Sequence, residues 1–134
     1  MMIKKIEHIG IAVENSKKSN EIFEKLFGTT SYKTELVESE GVKTYFYKLG
    51  ESKIELLEAT EEDSPIKKFI NKRGQGMHHL ALHVEDIHSE LARLKNLGFE
   101  TIGDIKKGAD NKLICFLHPK STSGVLIELC QEDR

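Results

Sequence analysis

Apolar residues recur along this chain with two periods, and the switches between them mark the elements. From Ile3 to Val13 the pattern alternates: Ile9, Ile11 and Val13 fall on one side of an extended strand, and His8, Gly10 and Ala12 on the other. The period then lengthens. Asn15 or Ser16 is suited to cap a helix whose Ile22, Phe23, Leu26 and Phe27 form an apolar stripe, and Gly28 suits its C-terminal stop. Strands are expected over about 31–38, 42–49 and 52–59, with Gly50 breaking the last two into a hairpin. Ser64-Pro65 reads as the cap and first residue of a further helix, with Ile66, Phe69 and Ile70 facing inward and Gly74-Gln75-Gly76 ending it.

The same order then returns. A strand over 77–85 carries Leu80, Leu82 and Val84 on one face. Asp86 caps a helix bearing Ile87, Leu91, Leu94 and Leu97, stopped by Gly98, and short strands follow near 99–103, 112–118 and 124–131. The chain therefore reads as βαβββ twice: module one over about 3–60, a linker helix over about 65–73, and module two over about 77–131. The fold class is α+β, a single domain of two similar units whose strands pair into one sheet.

The repeat extends to individual residues. His-Ile-Gly-Ile-Ala-Val-Glu (8–14) matches His-Leu-Ala-Leu-His-Val-Glu (79–85), and Lys-Ile-Glu-Leu-Leu-Glu (53–58) matches Leu-Ile-Glu-Leu-Cys-Gln (126–131). Glu55 follows His8 by 47 positions and Glu128 follows His79 by 49. On each first strand the histidine shares a face with small residues, Gly10 and Ala12 or Ala81. The bulky face must pack under the helix, so the histidine face looks toward a cavity. Glu55 and Glu128 each sit between aliphatic residues at the centre of an apolar strand. Burying an unpaired carboxylate costs several kcal/mol, roughly, so each must be neutralised, paired or metal-bound. Two imidazoles and two carboxylates in symmetric positions favour a divalent metal held by His8, Glu55, His79 and Glu128.

Composition narrows the classes of partner. The 134 residues carry a net charge of −2 with lysine and glutamate dispersed, which argues against a dedicated nucleic-acid or membrane surface. No apolar run approaches the ~20 residues that span a bilayer, and the first residues lack a signal-peptide core. Cys115 and Cys130 fall in apolar runs without close-spaced partners, as buried reduced thiols do, which points to the cytoplasm. Among the other histidines, His78 is out of phase with the repeat and reads as a supporting or structural residue. His83 shares the phase of His79, His88 lies on a charged helix face, and His118 ends a strand, in position for loop structure or substrate contact.

His-Ile-Gly-Ile-Ala-Val (8–13), Lys-Ile-Glu-Leu-Leu-Glu (53–58), Asp-Ser-Pro-Ile (63–66), Gly-Met-His-His-Leu (76–80), and His-Pro-Lys-Ser followed by Gly-Val-Leu-Ile-Glu-Leu (118–129) together resemble the vicinal oxygen chelate superfamily. Within it, the combination of Asp-Ser-Pro-Ile with His-Pro-Lys is closest to the methylmalonyl-CoA epimerase family. The resemblance implies a cupped, eight-stranded sheet, the same four metal ligands, an acyl-CoA substrate and a homodimer. It also implies epimerisation by α-proton removal and return through a metal-stabilised enolate. Four protein ligands then leave two adjacent octahedral positions for the substrate's thioester and carboxylate oxygens, whereas closed tetrahedral zinc leaves none, so Co²⁺ is the favoured ion, with Mn²⁺, Ni²⁺ or Zn²⁺ as alternatives. The symmetry of the repeat motivates the hypothesis that Glu128 is the base on one face and that Glu55, which replaces a glutamine found in some epimerases, serves the other. A glutamate that this family carries on the third strand of module one falls at Thr44, which departs from the pattern and places Thr44 beside the substrate. Lys120 and Ser121 are candidate contacts for the substrate carboxylate or CoA phosphates. A glyoxalase-I-like isomerase shares the ligand set, and a non-catalytic ligand-binding protein shares the fold.

Overall fold

A computed structural model describes residues 2–133. Eight strands and three α-helices follow the expected order: β1 (Ile3–Ala12), α1 (Ser16–Phe27), β2 (Lys33–Val37), β3 (Val42–Leu49), β4 (Ser52–Ala59), α2 (Pro65–Arg73), β5 (Gly76–Val84), α3 (Ile87–Asn96), β6 (Thr101–Lys107), β7 (Lys112–Leu117) and β8 (Ile127–Glu132). The α+β class and the doubled βαβββ order are thus as the periodicities indicated. The chain divides into two compact units, Ile9–His78 and a second formed by the residues up to His8 with those from His79 onward. The division runs through β1 and again through β5, so each unit owns part of both strands.

In the Ile9–His78 unit the strands run β2-β3-β4-β1. β3 and β4 form an antiparallel hairpin in which Phe46 faces Glu55. Alternation sorts the side chains onto two faces. Val13, Tyr47 and Leu56 pack with Ile11, Phe23 and Phe27 beneath α1, while Ala12, Val42 and Leu57 pack with Ile66, Phe69 and Ile70 of α2. The aliphatic face of β1 therefore lies under a helix, as strand phase required.

In the other unit the order is β1-β5-β8-β7-β6, with β5 and β8 parallel and β7 antiparallel to β8. Val84, Cys115, Leu117 and Leu129 pack against Ile87, Leu91 and Leu94 of α3. The opposite face carries a smaller cluster of Ala81, Ile114 and Cys130 with Phe116. Glu90, buried on α3, receives both a Nε and an Nη hydrogen bond from Arg93 at 2.8 Å. That guanidinium holds the Glu90 carboxyl below the ordinary carboxylate range.

The caps fall where the sequence put them. Asn15, Ser64 and Asp86 accept from the backbone N–H of Lys18, Ile66 and Ser89 respectively. Gly28 closes α1 with φ 72°. Four expectations are corrected. Ile22 and Leu26 are exposed, because α1 rests on the line Ser19-Phe23-Phe27 and the row one residue earlier lies about 100° around the helix. Leu97 is exposed because it is the C-cap of α3, where the backbone has already left the helix. β6 begins and ends later than expected, since its charged residues are those of a sheet edge and its register shifts between Ile102 and Lys106. β8 starts at Ile127 rather than 124, because Ser123 and Gly124 take positive φ in a turn closed by Gly124 N–H to Pro119 O.

A second repeated device joins each fourth strand to its helix. Glu58 lies three residues beyond Glu55 and accepts from the Ser16 N–H at 2.8 Å and the Ser16 hydroxyl at 2.9 Å. Gln131, three beyond Glu128, accepts from the Ile87 N–H at 2.7 Å. In both units the side chain satisfies an N-terminal amide that the helix itself leaves open. We expect Glu58→Ala and Gln131→Ala each to cost ~1 kcal/mol in urea unfolding, with Glu58→Gln close to the parent because it retains an acceptor. Unchanged midpoints for both alanine variants would show that solvent replaces these contacts.

Candidate metal centre

Three strands of the second unit bring buried ionisable groups close to one another. β1 supplies Glu7 and His8, β5 supplies His79, and β8 supplies Glu128, all buried. The parallel register sets Ala81 beside Glu128, and its methyl group leaves room for the carboxylate to lean toward His79. His8 Nε2 and His79 Nε2 lie 2.9 Å apart, with the two rings edge-on. Glu128 Oε1 is 3.3 Å from His79 Nε2, and its Oε2 is 3.9 Å from His8 Nε2. The Phe116 ring, which faces Glu128 across the β7–β8 ladder, stands perpendicular to His79 at 5.9 Å between centroids.

The donor set fits a divalent cation. Atoms that share an ion through bonds of about 2.0–2.2 Å lie roughly 3–4 Å from one another, and the contacts among His8, His79 and Glu128 span 2.9–3.9 Å. Two imidazole nitrogens and one carboxylate oxygen are also the donor types that first-row divalent metals accept. Nearby, burial and the negative charge of Glu128 push the Cys115 thiol up to about 11, so it remains protonated. Cys115 and Cys130 are both buried and free.

Glu55 occupies the corresponding place in the Ile9–His78 unit. It is 4% exposed at the centre of β4 and faces Phe46, as Glu128 faces Phe116. Thr44 is buried on β3 opposite Leu57. Lys120 is exposed, and Ser121 is half-buried in the 3₁₀ turn that follows β7. That turn is fixed from two directions: His118 Nδ1 accepts from the Lys120 N–H, and Ser121 Oγ accepts from the Glu100 N–H. His88 is exposed on α3, and His83 is half-buried opposite Cys130.

Glu7 is the residue that sequence reasoning missed. Its carboxylate lies 3.0 Å from His8 Nδ1, and it is 4% exposed. Lying among lysines in Lys-Lys-Ile-Glu-His, it reads as one more solvated charge. The available signal was the Glu-His doublet itself, an acceptor placed directly before a candidate ligand.

The chain belongs to the Glyoxalase/Bleomycin resistance protein/Dioxygenase superfamily, whose profile matches residues 7–116. Within that class it is 38% identical to the mitochondrial methylmalonyl-CoA epimerase of Dictyostelium discoideum, over 95% of this chain and 78% of the relative. It is 35% identical to the uncharacterized Bacillus subtilis protein YqjC, over 96% and 93% of the two chains. A variant of Streptomyces coelicolor methylmalonyl-CoA epimerase, solved in complex with 2-nitronate-propionyl-CoA, superposes with a TM-score of 0.92 at 34% identity, covering 97% and 95%. Among the described residues, no helix is long and apolar enough to cross a membrane.

His78, next to a candidate ligand, belongs to packing. Its ring stands edge-on to Phe69 of α2 at 4.9 Å, and burial lowers its pKa to about 4. The unfolded chain, with a histidine pKa of about 6.5, binds the proton more readily than the folded one. Stability contributed by neutral His78 is therefore complete above about pH 6.5 and is lost as pH falls toward about 4. We expect metal-free protein to lose on the order of 2 kcal/mol between about pH 7 and about pH 5 from this group alone. A His78→Gln protein with the same acid slope in urea unfolding would remove His78 as its source.

Proposed function

We propose that this chain is a divalent-metal-dependent epimerase acting on the α-carbon of a 2-substituted malonyl thioester, with methylmalonyl-CoA as substrate. The observation that carries this reading is the convergence of His8, His79 and Glu128 on one buried face. Its setting is a family whose epimerase members match nearly the whole chain. Completed by Glu55, these residues would hold the metal, with Co²⁺ favoured among the divalent ions. A cation held there supplies electrostatic stabilisation to the negative charge that develops as the α-proton leaves.

The proton transfers fall to the protein. Glu128 removes the α-proton on one face: the C–H bond breaks, the proton passes to a carboxylate oxygen, and the electron pair delocalises into the thioester carbonyl. Its oxygens lie 3.3 Å from His79 Nε2 and 3.9 Å from His8 Nε2, both longer than charge-assisted hydrogen bonds. Glu55 is assigned the opposite face, where it returns a proton to the α-carbon and inverts it. The repeat motivates this pairing, since Glu55 and Glu128 stand at equivalent buried positions. Lys120 offers a mobile cation to the substrate carboxylate or the CoA phosphates. Ser121, whose oxygen already accepts from Glu100, has its hydroxyl proton left to donate. Thr44 is assigned to the substrate on the strength of its position alone.

The deciding experiment is α-deuterium uptake by methylmalonyl-CoA in D₂O, with metal-stripped and Co²⁺-loaded protein side by side. Metal-dependent uptake with racemisation is the expected outcome. Its absence in metallated protein would eliminate this substrate and direct attention to a thiol hemithioacetal. Glu128→Gln and Glu55→Gln are each expected to slow epimerisation by ~10²–10⁴-fold. Near-parental turnover in either variant would withdraw the base role from that residue.

A further inference from the structure

We propose that Glu7 is a positioning residue for the metal centre: it fixes the tautomer and orientation of His8 so that the Nε2 lone pair faces His79 and Glu128. The proposal rests on reading His8 as a metal ligand.

An ionised carboxylate only accepts hydrogen bonds. With Glu7 ionised, the 3.0 Å contact between Glu7 Oε1 and His8 Nδ1 is made by an Nδ1–H donor, which leaves Nε2 without a proton in neutral imidazole. Nε2 is the nitrogen that lies 2.9 Å from His79 Nε2 and 3.9 Å from Glu128. Glu7 and His8 are 4% and 5% exposed, so water competes little for either group. A carboxylate behind a ligating imidazole raises the basicity of the bound nitrogen and restrains ring rotation.

The repeat makes the assignment asymmetric. The position that Glu7 holds before His8 is held before His79 by His78, which is packed against Phe69. In sequence, a carboxylate thus immediately precedes one member of the duplicated pair and not the other. His8 is accordingly expected to be the histidine whose affinity for metal depends on its sequence neighbour.

Two measurements on the full chain test this. In metal-free protein, long-range ¹⁵N–¹H NMR should show His8 as the Nδ1–H tautomer, with tautomer populations shifting in Glu7→Leu. Co²⁺ titration, read by its visible absorption and by calorimetry, should give a dissociation constant ~10–100-fold weaker for Glu7→Gln than for the parent, with Glu7→Asp recovering part of the loss. A residue with a merely structural role would lower the unfolding midpoint and leave both tautomer and Co²⁺ affinity unchanged. His8 in the Nε2–H form, or Glu7→Gln binding Co²⁺ within about twofold of the parent, would overturn the proposal. A parent protein that shows the expected tautomer but binds no Co²⁺ would instead overturn the metal-centre reading, and with it the role given to Glu7.

Discussion

The constraint on which this structure turns is the burial of ionisable side chains in strands that are otherwise aliphatic. Glu7, His8, His79 and Glu128 lie within one unit, each less than a tenth exposed, and Glu55 has the same burial in the other. Desolvating such groups singly costs several kcal/mol, roughly. For the first four the structure meets that cost by giving them one another: carboxylate against imidazole, and imidazole against imidazole. Among the described residues no buried side-chain nitrogen or oxygen lacks a partner. Such an arrangement is closed to bulk water yet rich in lone pairs, as a cation site requires.

That concentration of polar groups is possible because strand alternation separates two tasks. Along β5, Leu82 and Val84 serve the core beneath α3, while His79 and Ala81 lie on the other face. β7 and β8 divide in the same way, with Cys115, Leu117 and Leu129 against α3 and Phe116 and Glu128 opposite. A one-residue slip in register would exchange the two sets, placing carboxylate in the core and leucine in the site. The Glu58 and Gln131 contacts bear on this register, since each ties the end of a strand carrying a buried glutamate to the start of a helix. Fold stability and site geometry thus draw on the same few strand positions.

Duplication supplied the donor set, but the two copies have diverged around it. The Phe-to-Glu cross-strand pair and the strand-to-helix cap survive in both. The residue preceding each histidine does not, being a carboxylate in one copy and a packed imidazole in the other. The turn after β7, pinned by His118 and Ser121, carries lysine into solvent from a backbone that its own hydrogen bonds hold in place.

The chain alone determined its duplicated βαβββ order, the three helix caps and the burial of Leu91 and Leu94, and it singled out four candidate ligands. Each is encoded locally, by a period of two or 3.6 residues, by a capping side chain one turn away, or by repetition itself. Ile22, Leu26 and Leu97 were misplaced because an apolar residue on a helix reveals only that a stripe exists. Which line of that stripe touches the sheet depends on how the helix settles. The start of β8 was misjudged because Ser123 adopts positive φ, a conformation its residue type does not announce. Tertiary structure alone decided that His8 Nε2 meets His79 Nε2 and that Glu7 curls onto His8. Those contacts join residues 71 positions apart, or depend on burial that neighbouring strands impose, and no local pattern carries that information.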